Sequence, residues 1–185
     1  LSEKYNVLMT PGNFNTTLGV VRTIREHLKP YHQVFIVEMG AKQVGDIKEI
    51  CDLVHPHIGI VTSVGNMHLE TFKTLQGVGR TKFELLDSLP SDGLGIINMD
   101  SEGIAAYPDK PAHCRIMTSA IKTEGVDVKA QNVAYSRRGV SFDVCIKGKE
   151  SYRVETRLLG EGNILNVLVS LAAADHLGVS VKQQR

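Results

Sequence analysis

Val34-Phe-Ile-Val-Glu-Met-Gly-Ala41 decides how this chain is read. Val34 to Val37 is an unbroken apolar run rich in β-branched residues, which suits a strand covered on both faces, as in a parallel sheet flanked by helices. The run stops at Glu38 and Gly40. In open parallel sheets ligands bind beyond the carboxyl ends of the strands, so Glu38 stands where chemistry is expected.

The same texture recurs on both sides of that segment. Tyr5 to Met9 is a candidate strand, followed by Thr10-Pro-Gly-Asn-Phe-Asn15 and a helix from about Thr17 to Leu28 through Leu18, Val21 and Ile24. Asp46 can cap a second helix carrying Ile47, Ile50 and Leu53. Ile58-Gly-Ile-Val61 and Gly95-Ile-Ile97 read as further strands, with another around Ile116. Gly65-Asn-Met-His-Leu-Glu70 follows the first of these and Asn98-Met-Asp100 the second, so all the polar clusters are expected on one sheet edge. Together they can coordinate a hard cation and the phosphates it carries. Singly, each has a plainer reading. Glu38 can pair or cap a loop, His68 can be a structural histidine, and Asn98 and Asp100 can shape a turn.

Lys82 interrupts a helical stripe. Leu75, Val78, Lys82, Leu85, Leu86 and Leu89 share one face at helical spacing, and an ammonium in that stripe must snorkel, lose its proton or find partners. Beyond residue 126 the pattern changes to strands over 126–135, 139–146 and 151–159, joined by Ser136-Arg-Arg-Gly139 and Lys147-Gly-Lys-Glu150. A last helix enters at Gly162-Asn163 and ends near Leu177, with Gly178 as its cap. Residues 108–112 are the expected internal linker. The 185 residues carry 21 basic and 20 acidic side chains, a balance that favours a small-molecule partner over nucleic acid. No apolar run approaches the ~20 residues of a membrane helix. Cys51, Cys114 and Cys145 are widely spaced and read as reduced thiols of a cytoplasmic protein.

Thr10-Pro-Gly-Asn-Phe-Asn-Thr-Thr-Leu-Gly19, Glu38-Met-Gly-Ala-Lys-Gln-Val-Gly-Asp-Ile47, and His68-Leu-Glu70 with its downstream Lys82 resemble, in order and spacing, the central domain of the ATP-dependent Mur ligases. The resemblance runs over nearly the whole chain and looks closest to the member that adds D-alanyl-D-alanine to UDP-N-acetylmuramoyl-tripeptide. It implies an α/β fold like that of phosphate-loop NTPases, a mostly parallel sheet flanked by helices, with a small antiparallel β subdomain over residues 126–159. It implies that Glu38 holds the Mg2+ bridging the ATP phosphates, that His68 binds a second Mg2+, and that Lys82 is carbamylated to support that second metal. Asn15 looks like the family's asparagine near the transferred phosphate, and Asn163 and Asn166 like those that approach adenine. The implied reaction activates a carboxylate as an acyl phosphate, which the amine of D-alanyl-D-alanine attacks; the full-length enzyme is expected to be a monomer.

The chain also departs from the family. It has no Gly-x-x-x-x-Gly-Lys-Ser/Thr loop, and Gly77-Val-Gly79 lies inside the Lys82 helix and cannot replace one. The reading is of a chain that starts after that loop and stops before a C-terminal domain. Gly162 stands where many relatives have histidine, and Thr16 where some have asparagine. Two alternatives stay open: another Mur-type amino-acid or glutamate ligase, and a noncatalytic nucleotide-binding module.

Overall fold

The apolar run at Val34 does form a parallel strand, in a smaller sheet than the sequence suggests. The structure is a computed structural model that describes residues 1–65, 75–108 and 110–184, leaving aside the side chains of Leu75 and Gln76. Strand β1, Val7–Met9, pairs in parallel with β2, Val34–Ile36, in a two-stranded sheet, with Val7 opposite Val34. Helix α1, Thr17–His27, connects them; its N-cap Thr16 accepts a hydrogen bond from the Gly19 amide at 3.3 Å. Helix α2, Asp46–Val54, then carries the chain to a second sheet of six strands.

That sheet runs β3 (Ile58–Val61), β4 (Leu94–Asn98), β5 (Arg115–Ala120), β6 (Val128–Ser136), β7 (Gly139–Ile146) and β8 (Tyr152–Thr156), in that order. Strands β3 to β6 are parallel, although β5 and β6 meet only through Ser119–Val128 and Ala120–Lys129. Strands β6, β7 and β8 are antiparallel and continue the same sheet. The polar clusters therefore follow strands of two sheets. Those after β1 and β2 belong to one, and those after β3 and β4 to the other. The apolar run of β2 is not covered on both faces here, since Ile36 is exposed, and a hydrophobic pattern does not show which strand lies beside it.

Helix α5, Glu161–His176, packs over β4, β5 and β6 and buries Ile164, Leu168, Val169 and Ala172. Its end is held by the N-terminal segment: Lys4 Nζ donates to the carbonyls of Leu177 and Gly178, and the Tyr5 hydroxyl donates to Leu177. Gly178 follows the cap with φ 69°, the left-handed geometry expected of a glycine there. A second core lies under helix α3, Leu75–Asp87, where fully buried Phe83 stacks on Tyr107 at 4.1 Å. The short helices α4, Glu102–Ala105, and α6, Val181–Gln184, complete the fold.

Two local expectations change. The cap of α2 is Gly45, at φ 99°, and it makes no side-chain cap hydrogen bond. Asp46 instead folds back, its Oδ2 accepting from the amides of Lys42 at 2.8 Å and Gln43 at 3.1 Å. In α3 the buried face includes Thr81 and Phe83 as well as Val78 and Leu86, so it is centred off the predicted stripe and half-buried Lys82 sits on its flank.

Candidate functional site

Beyond β2 the chain is held against the loop after β1. The Thr10 amide donates to Ile36 at 3.0 Å, and buried Thr10 Oγ1 accepts the amide of Glu38 at 3.1 Å. The Glu38 side chain is exposed, and its Oε1 accepts Asn15 Nδ2 at 3.1 Å. The Asn15 carbonyl in turn accepts the Gly40 amide at 2.7 Å. A β-carbon on Gly40 would lie 3.0 Å from Asn15 Cγ, so the glycine is what lets the chain turn past Asn15 so closely. Glu38 and Asn15, singled out separately in the sequence, are thus one pair.

Lys82 belongs to a second group. Its Nζ donates to the Ser63 carbonyl at 2.7 Å, in the loop after β3. Burial lowers its pKa, and no carboxylate pairs with it among the described residues. The same loop is held from two other elements. Asn98 Nδ2, buried at the end of β4, donates to the Thr62 carbonyl at 2.9 Å, and Ser101 Oγ accepts the Val64 amide at 3.0 Å. Ser101 escaped the sequence reading, although a serine directly before a helix is a recognised signal. Gly103 lies against this loop so closely that a β-carbon would sit 2.5 Å from the Val64 carbonyl oxygen.

Asp100 anchors the next loop. Its carboxylate accepts amides from Ile121 at 2.6 Å, Lys122 at 3.0 Å and Thr123 at 2.8 Å, and the Thr123 hydroxyl at 2.8 Å. Burial alone raises its pKa, but these hydrogen bonds outweigh it and hold the carboxyl below its ordinary value. Lys122 also bridges to Glu161, in the first turn of α5, at 2.7 Å.

Asn163 and Asn166 are both on the early part of α5, three residues apart and so on neighbouring positions of its surface. Asn163 Nδ2 donates to the Leu159 carbonyl at 2.8 Å, which tethers it to the loop before the helix, while Asn166 is exposed. His68 and Glu70 lie outside the described residues. Among the described residues no hydrogen bond or ion pair joins the Asn15–Glu38 pair to Lys82, and no three histidine, cysteine or carboxylate side chains gather as metal ligands. Among them too, no helix is long and apolar enough to cross a membrane.

Comparison with known proteins matches the chain along nearly its whole length. The family model of the Mur ligase middle domain matches residues 1–174. The UDP-N-acetylmuramoyl-tripeptide–D-alanyl-D-alanine ligase of Haemophilus influenzae is 30% identical over 95% of this chain and 37% of its own length. That of Escherichia coli is 28% identical over 98% of this chain and 40% of its own length, so the chain spans well under half of these relatives. A crystal structure of MurF from Acinetobacter baumannii superposes with a TM-score of 0.90 at 29% identity, covering 100% of this chain and 40% of that one. The MurF ligase from Thermotoga maritima in complex with ADP gives 0.86 at 25% identity, covering 98% and 41%. With nearly all of its length matched by that family model, the chain belongs to the Mur ligase family through its middle domain.

Proposed function

We propose that this chain is the ATP-binding middle domain of a cytoplasmic ligase that joins D-alanyl-D-alanine to UDP-N-acetylmuramoyl-tripeptide in peptidoglycan precursor synthesis. What carries the reading is the match along nearly the whole chain to UDP-N-acetylmuramoyl-tripeptide–D-alanyl-D-alanine ligases, including a MurF ligase whose structure is in complex with ADP. ATP supplies the phosphoryl group that makes a substrate carboxylate an acyl phosphate; the amine then displaces phosphate.

The residues fit such a site in part. Glu38 offers an exposed hard oxygen, oriented through the Asn15 amide, as Mg2+ prefers. Asn15 would hold that carboxylate beside the transferred phosphate, and His68 would take a second Mg2+. Lys82 would meet that second ion as a carbamate. Its amine lone pair adds to the carbon of CO2, one N–H proton leaves to solvent, and the product carries a carboxylate with one N–H remaining. The unmodified Lys82 Nζ donates to the Ser63 carbonyl, and the carbamate would add a carboxylate able to help hold a divalent cation. Asn163 and Asn166 would flank the adenine, with Asn163 exchanging its bond to Leu159 for the base.

The test is phosphate release by the full-length protein. It should require ATP, Mg2+, UDP-N-acetylmuramoyl-tripeptide and D-alanyl-D-alanine together. Equal turnover with a single amino acid or glutamate in place of D-alanyl-D-alanine points to another ligase of the family. No ATP turnover with any acceptor leaves a noncatalytic nucleotide-binding module.

A further inference from the structure

Helix α3 reaches the loops after both β2 and β3. Lys82 holds the loop after β3 through Ser63. Glu84, two residues on and so on a different side of the helix, holds the start of α2: Oε1 accepts the Gly45 amide at 2.8 Å and Oε2 the Lys48 amide at 3.1 Å. These amides have no partner inside their own helix, and the N-cap Gly45 brings no side chain to cap them. A carboxylate from another helix takes the place of an N-cap, and it is the charge that a helix N-terminus favours. The segment from Glu38 to Gly45 is then pinned at both ends, by Asn15 at Glu38 and Gly40 and by Glu84 at Gly45.

We propose that Glu84 is a positioning residue: it sets where Glu38 stands relative to Lys82 by tying the loop between β2 and α2 to the helix that carries the lysine. No backbone ladder joins β2 to β3 among the described residues, so that relation depends on side-chain links of this kind. The inference rests on the ligase reading for the meaning of Glu38 and Lys82, and Glu84 acts through the Gly45 and Lys48 amides that its two oxygens accept.

The experiment uses the full-length protein with Glu84→Gln and Glu84→Ala. The glutamine keeps the volume and one accepting oxygen, so it decides the matter if the alanine variant does not fold. Amide hydrogen exchange across residues 40–48 should speed up, with strands β4 and β5 unchanged. The Mg2+ concentration for half-maximal turnover should rise about ten-fold, with KM for both peptide substrates unchanged, as for other residues that orient a metal ligand. Calorimetric titration of Mg2+ into the protein with ADP gives the same reading without turnover. Faster exchange with an unaltered Mg2+ requirement makes Glu84 a helix cap only and overturns the proposal, as does unaltered exchange. A wild-type protein that binds Mg2+ with ADP but ligates nothing sinks the ligase reading instead, and the titration still decides the role of Glu84.

Discussion

Replacing Asp100 by asparagine should destabilise this chain measurably at neutral pH and progressively less in acid. The carboxylate accepts four hydrogen bonds, three from consecutive backbone amides and one from the Thr123 hydroxyl. Asparagine retains one accepting oxygen and turns an NH2 group toward donors, so at least one amide loses its partner. A hydrogen bond to a charged acceptor contributes ~1.5–3 kcal/mol, and after allowance for the partial exposure of Asp100 the expected loss is about 2 kcal/mol. For a domain of this size that corresponds to a fall in Tm of ~4–8 °C. The hydrogen bonds hold the folded pKa below the ordinary 3.8 despite the opposing effect of burial. A carboxyl depressed in the folded state stabilises above its unfolded pKa, and that contribution disappears as pH falls through the folded value. Denaturant unfolding of wild type and Asp100→Asn should therefore show a gap at neutral pH that narrows as the pH drops below 3.8. A gap under about 0.5 kcal/mol at neutral pH, the scatter of ordinary surface substitutions, would refute the reasoning. So would a gap that stays constant through the acid range.

Phe83→Ala removes a fully buried ring stacked on Tyr107 and should cost ~3–5 kcal/mol in denaturant unfolding. Gly40→Ala places a β-carbon 3.0 Å from Asn15 Cγ, so it should cost ~1–3 kcal/mol and, on the proposed function, raise the Mg2+ requirement of the full-length protein by moving Asn15 off Glu38. Lys82→Met exchanges a half-buried ammonium for an apolar side chain of similar length. It should change Tm little, the lost bond to the Ser63 carbonyl offsetting the relief of a half-buried charge, while turnover by the full-length protein falls ~100-fold or more; near-normal turnover would remove Lys82 from the chemistry.

Periodicity located the elements because burial forces it. The β6 and β7 segments lie within two residues of the expected bounds, since β7 alternates inward and outward side chains and the hairpin has turn residues at its tip. Val34-Phe-Ile was legible as a strand from its apolar, β-branched composition, although Ile36 is exposed and neither Val34 nor Phe35 is fully buried. Pairing was not, because the split into two sheets depends on which edges meet, and an apolar run does not record its neighbour. The cap of α2 was misread at Asp46, where the cap proper is Gly45 and the amides are taken by Glu84 from a helix 36 and 39 residues further on. Local sequence statistics describe local hydrogen bonds, and this one is not local. Glu38 and Asn15 were named individually, yet the bond between them appears only once β1 and β2 pair.

The proposed chemistry would have Glu38 and Lys82 cooperate, while the fold puts them after strands of different sheets. A ladder would fix two strand ends with many backbone bonds, but here the connection runs through packed helices and a few polar links. Helix α2 leaves the Glu38 loop and buries Ile47, Ile50 and Cys51; α3 carries Lys82, and its Glu84 closes the circuit at Gly45 and Lys48. Side-chain contacts of this kind have fewer bonds to lose than a ladder, so the distance between the two candidate groups is more easily altered than the fold itself. Substitutions at Gly40 and Glu84 should accordingly change metal dependence at a lower cost in stability than Phe83→Ala, which should cost stability first.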